Sequence, residues 1–134
     1  MSYEITSSDS LNDPAVRYIK AKEGISKSDF LAIVTMTGMN LSEFINLLPV
    51  SRRTIEKVQR EDLLSPVVSD RVLQIAALYQ HGVDTFQDPA SFNAWLRSPV
   101  IALGNKKPFD FIDNDTGISL VNDLLGRITH GVYS

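Results

Sequence analysis

The sequence predicts an all-α protein, and three features lead to this prediction. Hydrophobic residues recur at spacings of three and four in several segments, as they do on the inward face of a helix. Helix-opening signals precede these segments, such as Asp13 followed by Pro14, and glycines such as Gly24 follow them. Only residues 33–37, which are rich in β-branched side chains, also allow a strand. The regular helices on both sides favour a helix there too.

The composition narrows the class of protein. The chain has 134 residues, of which 43% are hydrophobic and 22% charged, as in an ordinary globular protein of one or two small domains. Cysteine is absent, which excludes disulfides, thiolate metal sites and a cysteine nucleophile. No apolar segment approaches the roughly 20 residues that a membrane span needs, and residues 1–11 lack the basic and apolar regions of a signal peptide. We therefore expect a cytoplasmic protein that makes no membrane contact.

The N-terminal part contains a tail and two helices. Residues 1–12 are polar and rich in serine, and we expect them to form a flexible tail. A short helix follows over about residues 14–23. Ser26 or Ser28 then opens a second helix, which ends at Gly38. This helix turns three apolar side chains inward: Phe30, Ile33 and Val34.

Residues 40–60 carry the pattern of two short helices joined by a tight turn. Asn40 can cap the first helix and Ser51 the second. The three residues between the helices, 48–50, are apolar and too few to form a free loop. Such a pair is typical of a helix-turn-helix motif, whose second helix can enter the major groove of DNA.

The predicted second helix is locally basic. Residues 51–60 contain four basic side chains and one acidic side chain, Glu56, which gives a local charge of +3 within a chain of net charge −3. A chain of this net charge has no general attraction to nucleic acid, so DNA contact depends on such a patch. A solvated basic surface with no ligand is the alternative interpretation. The candidate DNA-binding residues are Ser51, Arg52, Arg53, Thr54, Lys57 and Arg60.

Two further helices are predicted before residue 100. The first begins after residue 65 and ends at Gly82, and it carries Asp70 and Arg71 at its exposed edge. These two residues suit either a surface or interhelical ion pair or a contact with a partner. The second helix covers about residues 89–97, and we expect its Trp95 to lie in the core.

Several patterns that suggest chemistry do not hold up. Residues 104–108 place lysines after a glycine, but the phosphate-binding GxxxxGK[ST] motif is absent. Residues 113–117 resemble the start of a calcium loop, yet its twelfth position is Leu124, which cannot bind the ion. Asp113 or Asp115 is more simply a helix cap. Neither histidine has a paired nucleophile or acid in a recognisable motif. We therefore predict no catalytic residue, metal site or cofactor.

The last predicted helix covers residues 116–130 and has an unusually broad apolar stripe. A stripe of this width can serve both an internal core and a partner. Arg127 and His130 lie near its C-terminal end, where positive charge suits the helix dipole. Four residues, 131–134, follow, and we expect this end to dock onto another molecule. The stripe comprises Ile118, Leu120, Val121, Leu124, Leu125 and Ile128.

The order and spacing of several short motifs over residues 25–134 resemble the Xre/MbcA/ParS-type antitoxins of bacterial type II toxin–antitoxin systems. Two departures from the family pattern stand out. Asn105 occupies a position at which many members have a second glycine, and residues 109–112 replace a sequence richer in leucine. The motifs are Asp70-Arg71, Ala94-Trp95-Leu96, Pro99, Leu103-Gly104, Pro108, Gly117, Val121, Leu125, Arg127-Ile128 and Gly131-Val132.

The resemblance implies a fold and a function. It implies an Xre-like helix-turn-helix domain over residues 13–64, and a small helical domain for toxin binding and dimerisation over residues 65–134. The implied partner is a toxin of the RES-domain type, an NAD-consuming enzyme whose active-site cleft the C-terminal end of the antitoxin covers. The implied complex is hetero-oligomeric, contains an antitoxin homodimer, and represses its own operator DNA.

The resemblance also suggests which residues meet the toxin. Tyr133 could stack where an aromatic ring of NAD would lie, and the terminal carboxylate of Ser134 could pair with a toxin arginine. Two other classes of protein stay open: a stand-alone helix-turn-helix transcription regulator and a protein adaptor that does not bind DNA. The candidate toxin-binding residues are Asp70, Arg71, Arg127, His130, Gly131, Val132, Tyr133 and Ser134.

Overall fold

A computed structural model describes residues 11–131 of the chain. Within this part the secondary structure is helical, with two short 3-10 turns and no strand. The all-α prediction is therefore confirmed. The helices are α1 (Pro14–Glu23), α2 (Lys27–Thr37), α3 (Leu41–Ile45), α4 (Arg52–Lys57), α5 (Pro66–Phe86), α6 (Pro89–Leu96) and α7 (Asp115–Thr129), and the 3-10 turns are Ile101–Leu103 and Pro108–Phe111.

The chain divides into two compact units, Met1–Ala77 and Leu78–Ser134. The sequence suggests a boundary before α5, between residues 64 and 65. The observed boundary falls inside this helix, between Ala77 and Leu78. The reason is that the first turns of α5 are fixed within the first unit. The Ser69 hydroxyl, which is fully buried, accepts a hydrogen bond from the backbone N–H of Ile25 at 3.0 Å.

The first unit is built around two aromatic rings. Phe30 of α2 and Phe44 of α3 meet edge to face, with ring centroids 5.5 Å apart. Of the two predicted openings of α2, Ser26 and Ser28, the structure has Ser26, whose side chain accepts from the Asp29 N–H at 3.0 Å. Further apolar side chains of this core are Ile33, Ile55, Val72, Leu73 and Ile75, which are at most 2% exposed.

The predicted flexible tail is wrong for its last two residues. Leu11 and Asn12 are helical, and Leu11 is fully buried. The Arg17 guanidinium also donates a hydrogen bond to the Leu11 carbonyl. A single leucine among polar residues is a weak signal in sequence, which is why its burial is not predicted. Residues 1–10 lie outside the described residues.

In the second unit, helix α5 continues beyond the predicted end at Gly82 as far as Phe86. Gly82 serves packing and not termination, because a Cβ at this position would overlap with the ring of Phe92 in α6. Phe92 in turn meets Tyr79 edge to face at 5.1 Å and lies 6.2 Å from Trp95. Trp95 packs against this aromatic cluster but is half-buried, so it lies at the edge of the core and not inside it as predicted.

Helix α6 begins at a well-formed cap. The Asp88 carboxylate accepts hydrogen bonds from the Ser91 hydroxyl at 2.8 Å and the Ser91 N–H at 3.1 Å. Both bonds favour the charged carboxylate, so they lower the pKa of Asp88. Because Asp88 is fully exposed, the contribution to stability is small.

Helix α7 starts one residue earlier than predicted, and its cap is Asn114, neither Asp113 nor Asp115. The Asn114 side chain accepts from the N–H of Gly117 at 2.8 Å. Asn is as good a cap as Asp, and sequence spacing alone does not separate adjacent candidates. The buried face of the helix comprises Gly117, Ile118, Val121, Leu124 and Leu125.

Candidate functional site

The predicted basic helix is present but shorter than expected. Helix α4 has six residues and ends at Lys57, and Val58 is its C-cap in an extended conformation. Arg60 therefore lies beyond the helix. Helix α3 also ends early, at Ile45, so the connection between the two helices is longer than the predicted three residues.

The cap at the start of α4 matches the prediction. The Ser51 hydroxyl accepts from the Thr54 N–H at 3.1 Å and lies 2.9 Å from the Thr54 hydroxyl. Ile55 is buried and fixes the helix to the first unit. All six predicted DNA-binding residues are exposed.

The cations of this surface differ in their local bonds. Arg52 forms an ion pair with Glu56 at 3.0 Å across one helical turn, and it also donates to the Ser42 hydroxyl of α3. Within residues 11–131, the Arg53 side chain forms no such bond. Two exposed acidic residues, Glu61 and Asp62, follow directly, so residues 52–62 carry four basic and three acidic side chains and a local charge of +1. The basic surface is therefore weaker than residues 51–60 alone suggest.

A set of bonds that the sequence does not reveal secures the end of α4. The Lys27 ammonium donates to the carbonyl of Val58 at 2.9 Å, and the Ser28 N–H donates to the carbonyl of Arg60 at 2.9 Å. The start of α2 thus holds the end of the basic segment. Backbone carbonyls have no sequence signature, which is why this relationship escapes sequence analysis.

Asp70 and Arg71 both belong to the first unit and are half-buried on α5. The Arg71 guanidinium donates to the carbonyl of Leu47, in the connection between α3 and α4, at 3.0 Å. Arg71 therefore has a role inside the fold, which sequence analysis does not anticipate. A contact between these two residues and a partner stays a prediction.

In the second unit, the end of α7 carries the other predicted partner residues. Arg127 and His130 are exposed, and His130 is the C-cap. Gly131 has a left-handed backbone (φ 68°), and its N–H donates to the carbonyl of Ile128 at 3.1 Å, which ends the helix. Val132, Tyr133 and Ser134 lie outside the described residues.

Side chains that the sequence leaves unassigned join the end of α5 to α7. His81 Nδ1 lies 2.9 Å from the side-chain oxygen of Asn122. Near the end of both helices, the hydroxyls of Thr85 and Thr129 are 2.7 Å apart. These contacts, together with the buried apolar face, fix the helix from which the predicted docking end emerges. His81 is thus a packing residue between α5 and α7.

Two classes of site are not found in residues 11–131. Within this range no group of three or more His, Asp or Glu side chains is placed to hold a metal ion. Likewise, none of the described helices combines the length and apolar character that a bilayer span requires.

Comparison with known proteins agrees with this architecture. Residues 81–131, from His81 to Gly131, match the family model described as the antitoxin Xre/MbcA/ParS C-terminal toxin-binding domain. The matched segment contains the end of α5, both 3-10 turns and the whole of α6 and α7.

Two relatives extend the similarity over most of the chain. An "Antitoxin Xre" of Yersinia enterocolitica is 26% identical over 84% of this chain and 78% of its own length. A "Prs ADP-ribosylating antitoxin" of Sphingobium sp. is 28% identical over 90% of this chain and 82% of its own length.

The fold itself has been observed before. A chain in the crystal structure of the Mycobacterium tuberculosis MbcT–MbcA toxin–antitoxin complex superposes with a TM-score of 0.59 at 19% identity, covering 81% of this chain and 96% of that chain. This likeness concerns the fold. The family model and the two relatives confirm the resemblance that the sequence motifs predict: the chain is similar to antitoxins of the Xre/MbcA/ParS type over most of its length, and residues 81–131 match the C-terminal toxin-binding domain of that family.

Proposed function

We propose that this antitoxin neutralises a RES-type, NAD-degrading toxin by covering the active site of the toxin with the end of α7 and the residues that follow it. The observation that carries this proposal is the anchored helix end. Buried Val121 and Leu125 and the Thr85–Thr129 contact fix the helix, whereas Arg127 and His130 are exposed. A fixed helix presents these groups at little entropic cost.

The exposed end of α7 combines a cation with a glycine that ends the helix. Arg127 supplies the cation, and the left-handed Gly131 terminates the helix directly before the residues proposed to cover the cleft. A cleft that binds the pyrophosphate of NAD contains cationic or N–H donor groups, so we expect Arg127 to contact the toxin outside the groups that hold the pyrophosphate. The name of the Sphingobium relative mentions ADP-ribosylation, a reaction that consumes NAD, and this supports a toxin of that chemistry.

The product of the reading frame adjacent to this gene is the toxin to test. We expect it to co-purify with the full chain, to hydrolyse NAD when purified alone, and to lose that activity when the chain is added in equimolar amount. Absence of both binding and inhibition would contradict the proposed function. Binding without inhibition would favour a protein adaptor instead.

We further propose that the first unit represses the operon of the complex by binding operator DNA through α4. The supporting observation is that the candidate DNA-binding residues are all exposed. Arg53 and Lys57 lie on α4, whose start is capped by the exposed Ser51. Because a six-residue helix and a local charge of +1 provide few contacts, we expect useful affinity only when two copies bind adjacent half-sites.

A gel shift with the DNA upstream of the gene tests operator binding. We expect a shift for the chain with its toxin, and a steep loss of affinity as salt rises. A shift with this chain but no detectable toxin partner would favour the stand-alone regulator. No shift under either condition would exclude the operator-binding part of the proposal.

A further inference from the structure

Ile101 is the most exposed large hydrophobic side chain in the described part of the molecule. It is 87% exposed and lies in the first 3-10 turn, between α6 and α7. Single exposed apolar residues are common on protein surfaces, so exposure alone assigns no role to Ile101. The conformation and charge of the surrounding loop indicate a role in binding.

The loop that carries Ile101 is held in one conformation by its own backbone. The N–H of Val100 donates to the carbonyl of Lys106 at 3.0 Å, and the N–H of Asn105 donates back to the carbonyl of Val100 at 3.0 Å. Gly104 and Asn105 both have left-handed backbones, with φ of 68° and 63°. Leu103 is buried and anchors the loop to the second unit. The conformation of the loop therefore does not depend on the side chain of Ile101.

The charged residues close to Ile101 in the sequence are all basic. Residues 97–107 contain three basic side chains and no acidic one, although the whole chain has a net charge of −3. All three, Arg97, Lys106 and Lys107, are exposed. The bridge between Val100 and Lys106 brings these lysines to the same end of the loop as Ile101.

We propose that Ile101, with Lys106 and Lys107 beside it, forms a second contact with the toxin, separate from the end of α7. The complementary surface on the toxin is an apolar pocket bordered by carboxylates. This inference rests on the proposed function, because it names a further part of the surface that meets the same partner.

Two properties favour the toxin as the occupant. The loop lies inside residues 81–131, the segment that matches the toxin-binding domain of the family. A preformed loop also loses little conformational entropy on binding, so an aliphatic anchor on it contributes nearly its full burial energy. The lysines add electrostatic steering towards an acidic rim.

A second copy of this chain is the competing occupant. The outer surface of α7 has an open concavity of about 440 Å³ that includes Leu120 and Asp123 among its lining residues. Because this surface contains apolar and acidic groups, the α7 of a second copy is also complementary to Ile101 and the two lysines. The experiment therefore measures self-association as well as toxin binding.

The test compares Ile101→Asp with the matched control Val67→Asp in the full-length chain. Val67 is 67% exposed and lies in the first unit, so both substitutions place a carboxylate at an exposed aliphatic position. The ligand is the purified product of the adjacent reading frame, immobilised for a binding assay. We expect Ile101→Asp to raise the Kd by about 10- to 100-fold and Val67→Asp to leave it unchanged.

Lys106→Glu with Lys107→Glu provides a second, independent variant. We expect it to slow association with the toxin, most strongly at low salt, because the steering charges are reversed. Light scattering of each variant without toxin gives its oligomeric state, and circular dichroism confirms that it is folded. Ile101→Ser replaces Ile101→Asp if the aspartate variant is unfolded.

The outcomes separate the two proposals. If wild-type chain does not bind the toxin, the proposed function fails. If wild-type chain binds and the Ile101 and lysine variants bind equally well, only the second contact is overturned. A change in self-association with unchanged toxin affinity also overturns it and assigns the loop to contact between copies.

Discussion

The backbone carbonyl of Phe111 lies against Gly117 so closely that a Cβ at position 117 would overlap with the carbonyl oxygen. This contact packs the second 3-10 turn onto the first turn of α7. The position at which α7 starts therefore depends on the absence of a side chain at residue 117. Gly117 is also one of the motif residues through which the sequence resembles the antitoxin family.

Gly117→Ala is expected to lower the free energy of unfolding by more than about 2 kcal/mol, because either the turn or the helix must move. Gly126→Ala is the matched control in the same helix. Nothing lies within 4 Å of a Cβ at Gly126, so this change should raise stability by about 0.5–1 kcal/mol. Urea denaturation of both variants measures the difference, and equal effects would contradict the packing role of Gly117.

The left-handed backbone of Asn105 explains its departure from the family pattern. Asn is one of few residues that adopt this conformation at low cost, so it replaces a glycine without changing the turn. Asn105→Ala should lower the free energy of unfolding by about 1 kcal/mol, whereas Asn105→Gly should leave it within a few tenths. Thermal denaturation distinguishes the two variants, and a neutral alanine would show that the turn tolerates a different backbone.

Arg71 is expected to act through the fold, because its guanidinium donates to the carbonyl of Leu47. Arg71→Ala should lower the free energy of unfolding by about 1.5–3 kcal/mol, the range for a lost hydrogen bond to a charged group. Chemical denaturation measures this, with Lys22→Ala, an exposed change on α1, as the control. Unchanged stability together with loss of toxin binding would instead make Arg71 a contact residue.

Arg53 is the side chain of α4 on which the DNA proposal depends most, since Arg52 already pairs with Glu56. Arg53→Ala should weaken operator binding by about tenfold. If the arginine contacts phosphate, the slope of log affinity against log salt should also fall by about one. A gel shift over a salt series measures both effects, and toxin binding should not change. Loss of both activities would indicate a structural role for α4.

The helices were predictable because their caps and apolar spacing are local. Asp13, Ser26 and Ser51 each accept the hydrogen bond expected of a cap. The end of α5 was not predictable, because sequence does not distinguish a glycine that ends a helix from a glycine that leaves room for an aromatic ring. Only the position of Phe92 identifies Gly82 as the second kind.

In the candidate sites, too, the local features were predictable from sequence and the contacts between distant residues were not. Exposure of Arg53 and Arg127 follows from helical periodicity. The bond from Arg71 to the Leu47 carbonyl and the contact between His81 and Asn122 join residues far apart in sequence, and neither has a local signature. The exposure of Ile101 was not predictable for a related reason, since a short apolar segment in sequence does not reveal which of its side chains faces solvent.

The most direct test of the central claim is the NAD content of cells that express the toxin from the adjacent reading frame together with this chain. Full-length chain should keep NAD at the level of cells without toxin. A variant that lacks residues 132–134 but retains Gly131, and with it the end of α7, should still bind the toxin yet allow NAD to fall. Unchanged NAD with this variant would contradict the claim that the residues after α7 close the active site.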